Sequence, residues 1–143
     1  MLQRNSPRKV TSRRQISYRP TSWKVHQFEV WSGELLCRAA VLRADRSLFV
    51  WLGSGSGEPE LGDMCMGVPA PGWLRAGAGR GGLGTALVGA EGAEGAATAL
   101  ARRLAAALQR PVYICSSCTF DRFTIPLVER GLILEIKSRP ECF

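Results

Sequence analysis

The chain has 143 residues, a length for one domain, and 45% of them are apolar, which excludes wholesale disorder. The net charge of +7 is unevenly placed. Residues 1–25 carry seven of the 19 basic side chains and no acidic one, so the remaining 12 basic residues balance all 12 acidic residues in 26–143. A basic arm is thus attached to a neutral domain, and the charge is no argument that the domain itself binds nucleic acid. No run of about 18 apolar residues occurs, so no membrane-spanning helix is expected. No secretory, myristoylation or prenylation signal is evident. Without such a signal, the five cysteines (37, 65, 115, 118 and 142) read as thiols in a reducing compartment.

Residues 1–24 are rich in Arg, Ser and Thr, contain Pro7 and Pro20, and show no apolar period, which predicts a disordered arm. A solvated tail is its first reading. A transit peptide is a second, opposed by the two prolines, and contact with RNA or an acidic surface is a third. Val25–Trp31 and Leu35–Leu42 predict strands. A turn at Ala44–Arg46 follows, then a strand at Ser47–Leu52 that is apolar on both faces and ends at the glycine run from Gly53. Met64–Val68 predicts a weak strand. The Gly/Ala/Pro-rich stretch at about 69–84 predicts a long loop, with a further strand over Leu83–Val88.

Two helices are predicted, at about 94–109 and 125–137. In the first, Ala97, Leu100, Ala101, Leu104 and Leu108 form one apolar stripe, with Glu91 and Glu94 toward its N-terminus and Arg110 toward its C-terminus. In the second, Ile125, Val128, Leu132 and Ile136 share a face, and Gly131 weakens the helix. Val112–Cys115 is a strand between the two. The fold class is α+β: a single domain over 25–143, with a mainly antiparallel sheet because the early turns are too short for crossovers.

Catalytic signals are weak. His26 is the only histidine and sits in a strand, where a structural role is the ordinary one. Glu91/Glu94 and Glu129/Glu135 read as solvated helix faces. Residues 77–82 satisfy GxGxxG spacing, but no strand leads into them and no long helix follows. Cys115 and Cys118 form a CxxC after a strand. A redox pair is one reading, zinc lacks a second ligand pair, and two ordinary thiols at a strand end is the preferred one. No catalytic, cofactor-binding or metal-ligating residue is therefore assigned, no cofactor is expected, and an enzyme is not expected.

Residues 26–143 resemble the proteasome assembly chaperone 4 family. The matching stretches are His26-Gln27-Phe28, Ser47 to Gly53, Thr85 to Gly89, Leu100 to Ala105, Arg110 to Ile114, Leu127 to Arg130 and Pro140 to Phe143. Each is ordinary alone, and their order and spacing carry the resemblance. It implies an antiparallel sheet with flanking helices and a non-catalytic chaperone that forms a heterodimer with proteasome assembly chaperone 3. It further implies action on the α-ring of the 20S proteasome, largely through subunit α5, in the cytoplasm, with the nucleus as a further location. The arm, the glycine-rich segment and the CxxC depart from the family pattern. Interface residues are not assignable from one sequence, since either sheet face could dock. The alternatives are a nucleic-acid-binding module using the arm and a thiol oxidoreductase using Cys115 and Cys118.

Overall fold

The computed structural model describes residues 16–20, 23–71, 82–89, 95–118 and 120–143. Six strands form one sheet: β1 (Lys24–Ser32), β2 (Leu35–Arg43), β3 (Leu48–Ser54), β4 (Asp63–Pro69), β5 (Gly82–Val88) and β6 (Val112–Ser116). Helix α1 (Ala96–Leu108) precedes β6, and α2 (Thr124–Ser138) follows it, leading into a 3₁₀ turn at Pro140–Cys142. The strand order is β1-β2-β3-β6-β4-β5.

Local chemistry accounts for the first half of the sheet. Gly33, at φ 60, opens the two-residue turn that closes Ser32 onto Leu35 and sets the β1–β2 register. Ala44 N–H donates to the Ser47 carbonyl at 3.0 Å, closing the turn into β3. These short connections force antiparallel pairing, as the sequence predicts. The β3–β6 pair is the exception, being parallel. It is possible because β4, β5 and α1 intervene and supply the long crossover that a parallel pair needs.

Both helices lie on one face of the sheet. Leu48, Val50 and Leu52 of β3 and Val112 and Ile114 of β6 are fully buried there, beneath Leu100 and Leu104 of α1 and Val128 and Leu132 of α2. Burial of each such side chain contributes roughly 1.5–3 kcal/mol, which makes this layer the main source of stability. The predicted apolar stripes are these buried faces, with Leu108 and Ile136 half-buried at their margins.

Several boundaries shift from the sequence reading. Lys24 opens β1 opposite Arg43, so the arm ends one residue earlier. Helix α1 starts at Ala96 and ends before Gln109, which adopts a left-handed conformation at φ 55. Helix α2 extends one residue at each end beyond 125–137. The expected loop at 69–84 is partly sheet: Pro69 pairs with Gly82, and Gly67 with Gly84, so β4 and β5 form a hairpin. Strand glycines on both sides of this hairpin let α1 approach. A Cβ on Gly67 would overlap the Ala101 carbonyl, and one on Gly84 would lie 3.0 Å from the Thr98 methyl. Residues 72–81, which hold most of the GxGxxG match, lie outside the described residues, as do Glu91, Glu94 and residues 1–15 of the arm.

The end of the chain closes the β1 side. His26 Nε2 lies 2.7 Å from Glu135 Oε1, and its ring stacks on Phe28 at 5.4 Å. Phe143, only 2% exposed, packs edge-on against both rings. Arg43 donates to the Glu141 carbonyl at 2.7 Å. These contacts join β1 and β2 to α2 and the 3₁₀ turn.

Candidate functional site

Strand pleat places alternate residues on opposite faces, so two helices on one face leave the other uncovered by any helix among the described residues. The register aligns two rows across that second face. One runs Val25, Leu42, Phe49, Tyr113, Met66 and Thr85. The next runs Gln27, Ala40, Trp51, Cys115, Met64 and Val88. Among the described residues no helix packs here, yet both rows are mostly apolar. Leu42, Phe49, Trp51, Tyr113, Met64 and Met66 are only half-buried. Toward β5 the apolar character continues with Leu83, 54% exposed, opposite Val68. The β3 pattern, apolar on both sides, suggests cover on both faces, and among the described residues helices supply it on one.

A polar corner borders the patch. The Arg38 guanidinium sits 5.8 Å from the centre of the Trp51 ring and donates to the Ser54 and Gly57 carbonyls at 2.8 and 2.9 Å. Trp51 Nε1–H donates to the Glu60 carbonyl at 2.8 Å, drawing the 55–62 loop across the end of β3. Trp31 Nε1–H donates to Glu29 on β1 at 3.0 Å. Between these groups lies a cleft of about 550 Å³, lined by Gln27, Arg38, Trp51, Pro59, Glu60 and Leu61. The Trp51 indole lies flat along its own strand because Gly53, two residues on, has no side chain: a Cβ there would overlap the ring. The spacing of Trp51 and Gly53 in the most distinctive stretch of the sequence thus has a packing reason.

The sequence-predicted chemical candidates disperse. His26 is engaged with Glu135 and two aromatic rings on the helix face. Glu129 and Glu135 do not act as a pair: Glu129 accepts two hydrogen bonds from Arg103 at 2.8 and 2.7 Å, while Glu135 holds His26. They clamp α2 to α1 and to β1, so the solvated-face reading is corrected for both. Cys115 and Cys118 are separated by the sheet. Buried Cys115 faces the uncovered side, its thiol 3.9 Å from the Gly62 carbonyl. Cys118 lies half-buried on the helix side, and the Cys37 thiol there donates to the Arg38 carbonyl at 3.7 Å. The influence of the nearby Cys37 thiol, aided by the Ser116 side chain, outweighs burial and brings the Cys118 thiol down to about 7. The neighbouring Cys118 and burial push the Cys37 thiol up. A CxxC oxidoreductase needs its sulfurs together, and this backbone sends them to opposite faces. The proximity of Cys37 and Cys118 was not visible from sequence, where the two lie far apart. Among the described residues no group of three or more His, Cys, Asp or Glu could hold a metal ion, and no helix is long and apolar enough to cross a membrane.

What this geometry offers is a surface, apolar and aromatic at its centre and polar at one end. No curated protein sequence matches the chain. Among solved structures, a chain of a crystallised chaperone complex for yeast 20S proteasome assembly shares the fold, with a TM-score of 0.51 at 12% identity. The match covers 83% of this chain and 93% of that one. The family model for proteasome assembly chaperone 4 matches residues 37–118, from near the start of β2 through β6 to Cys118, which is more than half of the sequence. The chain therefore belongs to the proteasome assembly chaperone 4 family.

Proposed function

We propose that this protein is a non-catalytic chaperone of 20S proteasome assembly that works as a heterodimer with a homologous subunit, proteasome assembly chaperone 3. The pair acts at the α-ring stage, through α5. The observation that carries the reading is the uncovered sheet face. Trp51, Tyr113, Phe49, Met64 and Met66 are the residue types that concentrate at interface cores, and Arg38 beside Trp51 is a typical rim anchor. A contiguous apolar face of this kind is seldom left to water on a monomer. A partner of the same architecture has a sheet of its own to lay against it.

Family membership supports the proteasome as client, and the structural likeness to a chain of an assembly-chaperone complex supports pairing. Cytoplasm, with the nucleus as a further site, is the proposed location. Fractionation of the tagged protein checks it.

The test is affinity purification of the full chain from nuclease-treated extract in moderate salt, followed by mass spectrometry. Recovery of the homologous chaperone and proteasome α subunits, without mature proteolytic β subunits, is expected. A stable, monodisperse monomer that recovers neither overturns the reading. Nucleic acid retained only while the basic arm is present would favour the arm as the working part.

A further inference from the structure

The helix side of the molecule carries a second apolar surface, on the outside of α2. Ile125, Val128 and Leu132 turn inward and are buried, so the opposite arc of the helix faces outward. That arc holds Phe123, 68% exposed, and Leu134, 56% exposed, with Pro126, Leu127 and Ile133 exposed between them. Phe123, Leu127 and Leu134 follow one another at spacings of four and seven residues and so share one line along the helix. The stripe is roughly 16 Å long, about three helical turns. Single apolar residues on a surface need no explanation, whereas a contiguous stripe on one helix does.

The charges around the stripe have one sign. Arg130 lies within it and Lys137 continues it by a turn, both exposed. The Arg122 guanidinium, 4.8 Å from the centre of the Phe123 ring, places a further cation at its start. The carboxylates of α2 point elsewhere: Glu129 is held by Arg103 of α1, and Glu135 by His26 of β1 with Arg139 at 3.7 Å. Among the described residues no carboxylate pairs with Arg130 or Lys137. An apolar stripe with basic margins is complementary to an amphipathic helix whose apolar side is bordered by Asp and Glu.

We propose, resting on the chaperone function proposed for this protein, that the outer face of α2 is its client-docking surface, which receives an acid-bordered amphipathic helix of the proteasome α subunit. The homologous chaperone then takes the open sheet face and the client takes the opposite side, so one molecule holds both at once. Apolar burial along the stripe supplies affinity, and the cations select an acidic helix, so binding weakens as salt rises.

The full chain, tagged, is recovered from extract with its bound proteins, and the homologous chaperone and the α subunit are quantified separately. Leu127→Glu combined with Leu134→Glu changes exposed side chains, so the urea midpoint should stay near that of the wild type. Recovery of the α subunit should fall at least about tenfold while recovery of the homologous chaperone is unchanged. Arg130→Glu combined with Lys137→Glu removes no apolar contact and should act in the same direction, which keeps the test open if the leucine variant misfolds. Zero-length carbodiimide coupling of the wild-type complex should join Lys137, one of three lysines in the chain, to an Asp or Glu in a helix of the α subunit. Undiminished α-subunit recovery by the folded variants overturns the docking surface and leaves the chaperone function standing. Loss of the homologous chaperone from the same variants makes α2 the pairing surface and also overturns it. So does binding of the wild type, but not the variants, to phosphatidylserine vesicles with α-subunit recovery unchanged. A wild type that recovers the homologous chaperone without any α subunit overturns the proposal alone, and one that recovers neither overturns the chaperone function with it.

Discussion

Two glycines show how single side-chain positions govern this protein. Gly131 lies inside α2, where propensity alone predicts that Ala would stabilise the helix by up to about 1 kcal/mol. Its Cα, however, faces Val30 of β1, and a Cβ would come within 2.7 Å of the Val30 Cγ2 methyl. Gly131→Ala should therefore destabilise the fold by about 1–3 kcal/mol, read from the urea midpoint, instead of stabilising it. Gly53 is the counterpart on the open face. Gly53→Ala forces the Trp51 indole from its resting place and from the Glu60 carbonyl, with an expected loss of about 1–3 kcal/mol and a shift in tryptophan emission.

Among the elements, α2 depends most on chemistry at its start. Asp121 Oδ1 accepts hydrogen bonds from the N–H groups of Phe123 and Thr124 at 2.8 and 2.7 Å. Thr124 Oγ1 in return accepts from the Asp121 N–H at 3.0 Å, and the Ile125 N–H reaches the Asp121 carbonyl. This is a reciprocal capping box that begins the helix. The Thr124 and Phe123 N–H bonds favour the ionised carboxylate and hold its pKa below the ordinary 3.8. With the folded value depressed, Asp121 adds stability above pH 3.8, and that contribution is lost as pH falls through the folded value. Asp121→Asn keeps the cap without the charge, so its stability in acid should vary less with pH than that of the wild type. Denaturant midpoints measured across the acid range check this.

At the scale of the whole molecule, the described residues form two layers, one sheet and the helices on one of its faces. Helices α1 and α2 shield one face, and the other presents Trp51 and Tyr113 to whatever binds there. Tyr113→Lys places a charge at the centre of that face. It should weaken recovery of the partner by at least about 100-fold while leaving the far-UV spectrum unchanged. Trp51→Ala should act in the same direction. Lys137→Glu, exposed on α2 at the opposite side, should leave partner recovery as it was.

By itself, the sequence determined the elements, because their causes are local. Alternation marks β1, β2 and β6, the three-and-four spacing marks α1 and α2, and short turns impose antiparallel pairing. The order of family stretches, with the Trp51–Gly53 spacing at their centre, was legible in the same way. Tertiary structure alone decided what depends on distant residues meeting. It moved Gly82 from loop to strand, close against α1, a contact that composition does not encode. It set His26 against Glu135, and Cys37 beside Cys118 in place of Cys115. Above all it placed both helices on one face, since a periodic stripe says that a surface must be buried and is silent on which side of the sheet will bury it. The uncovered face follows from that choice.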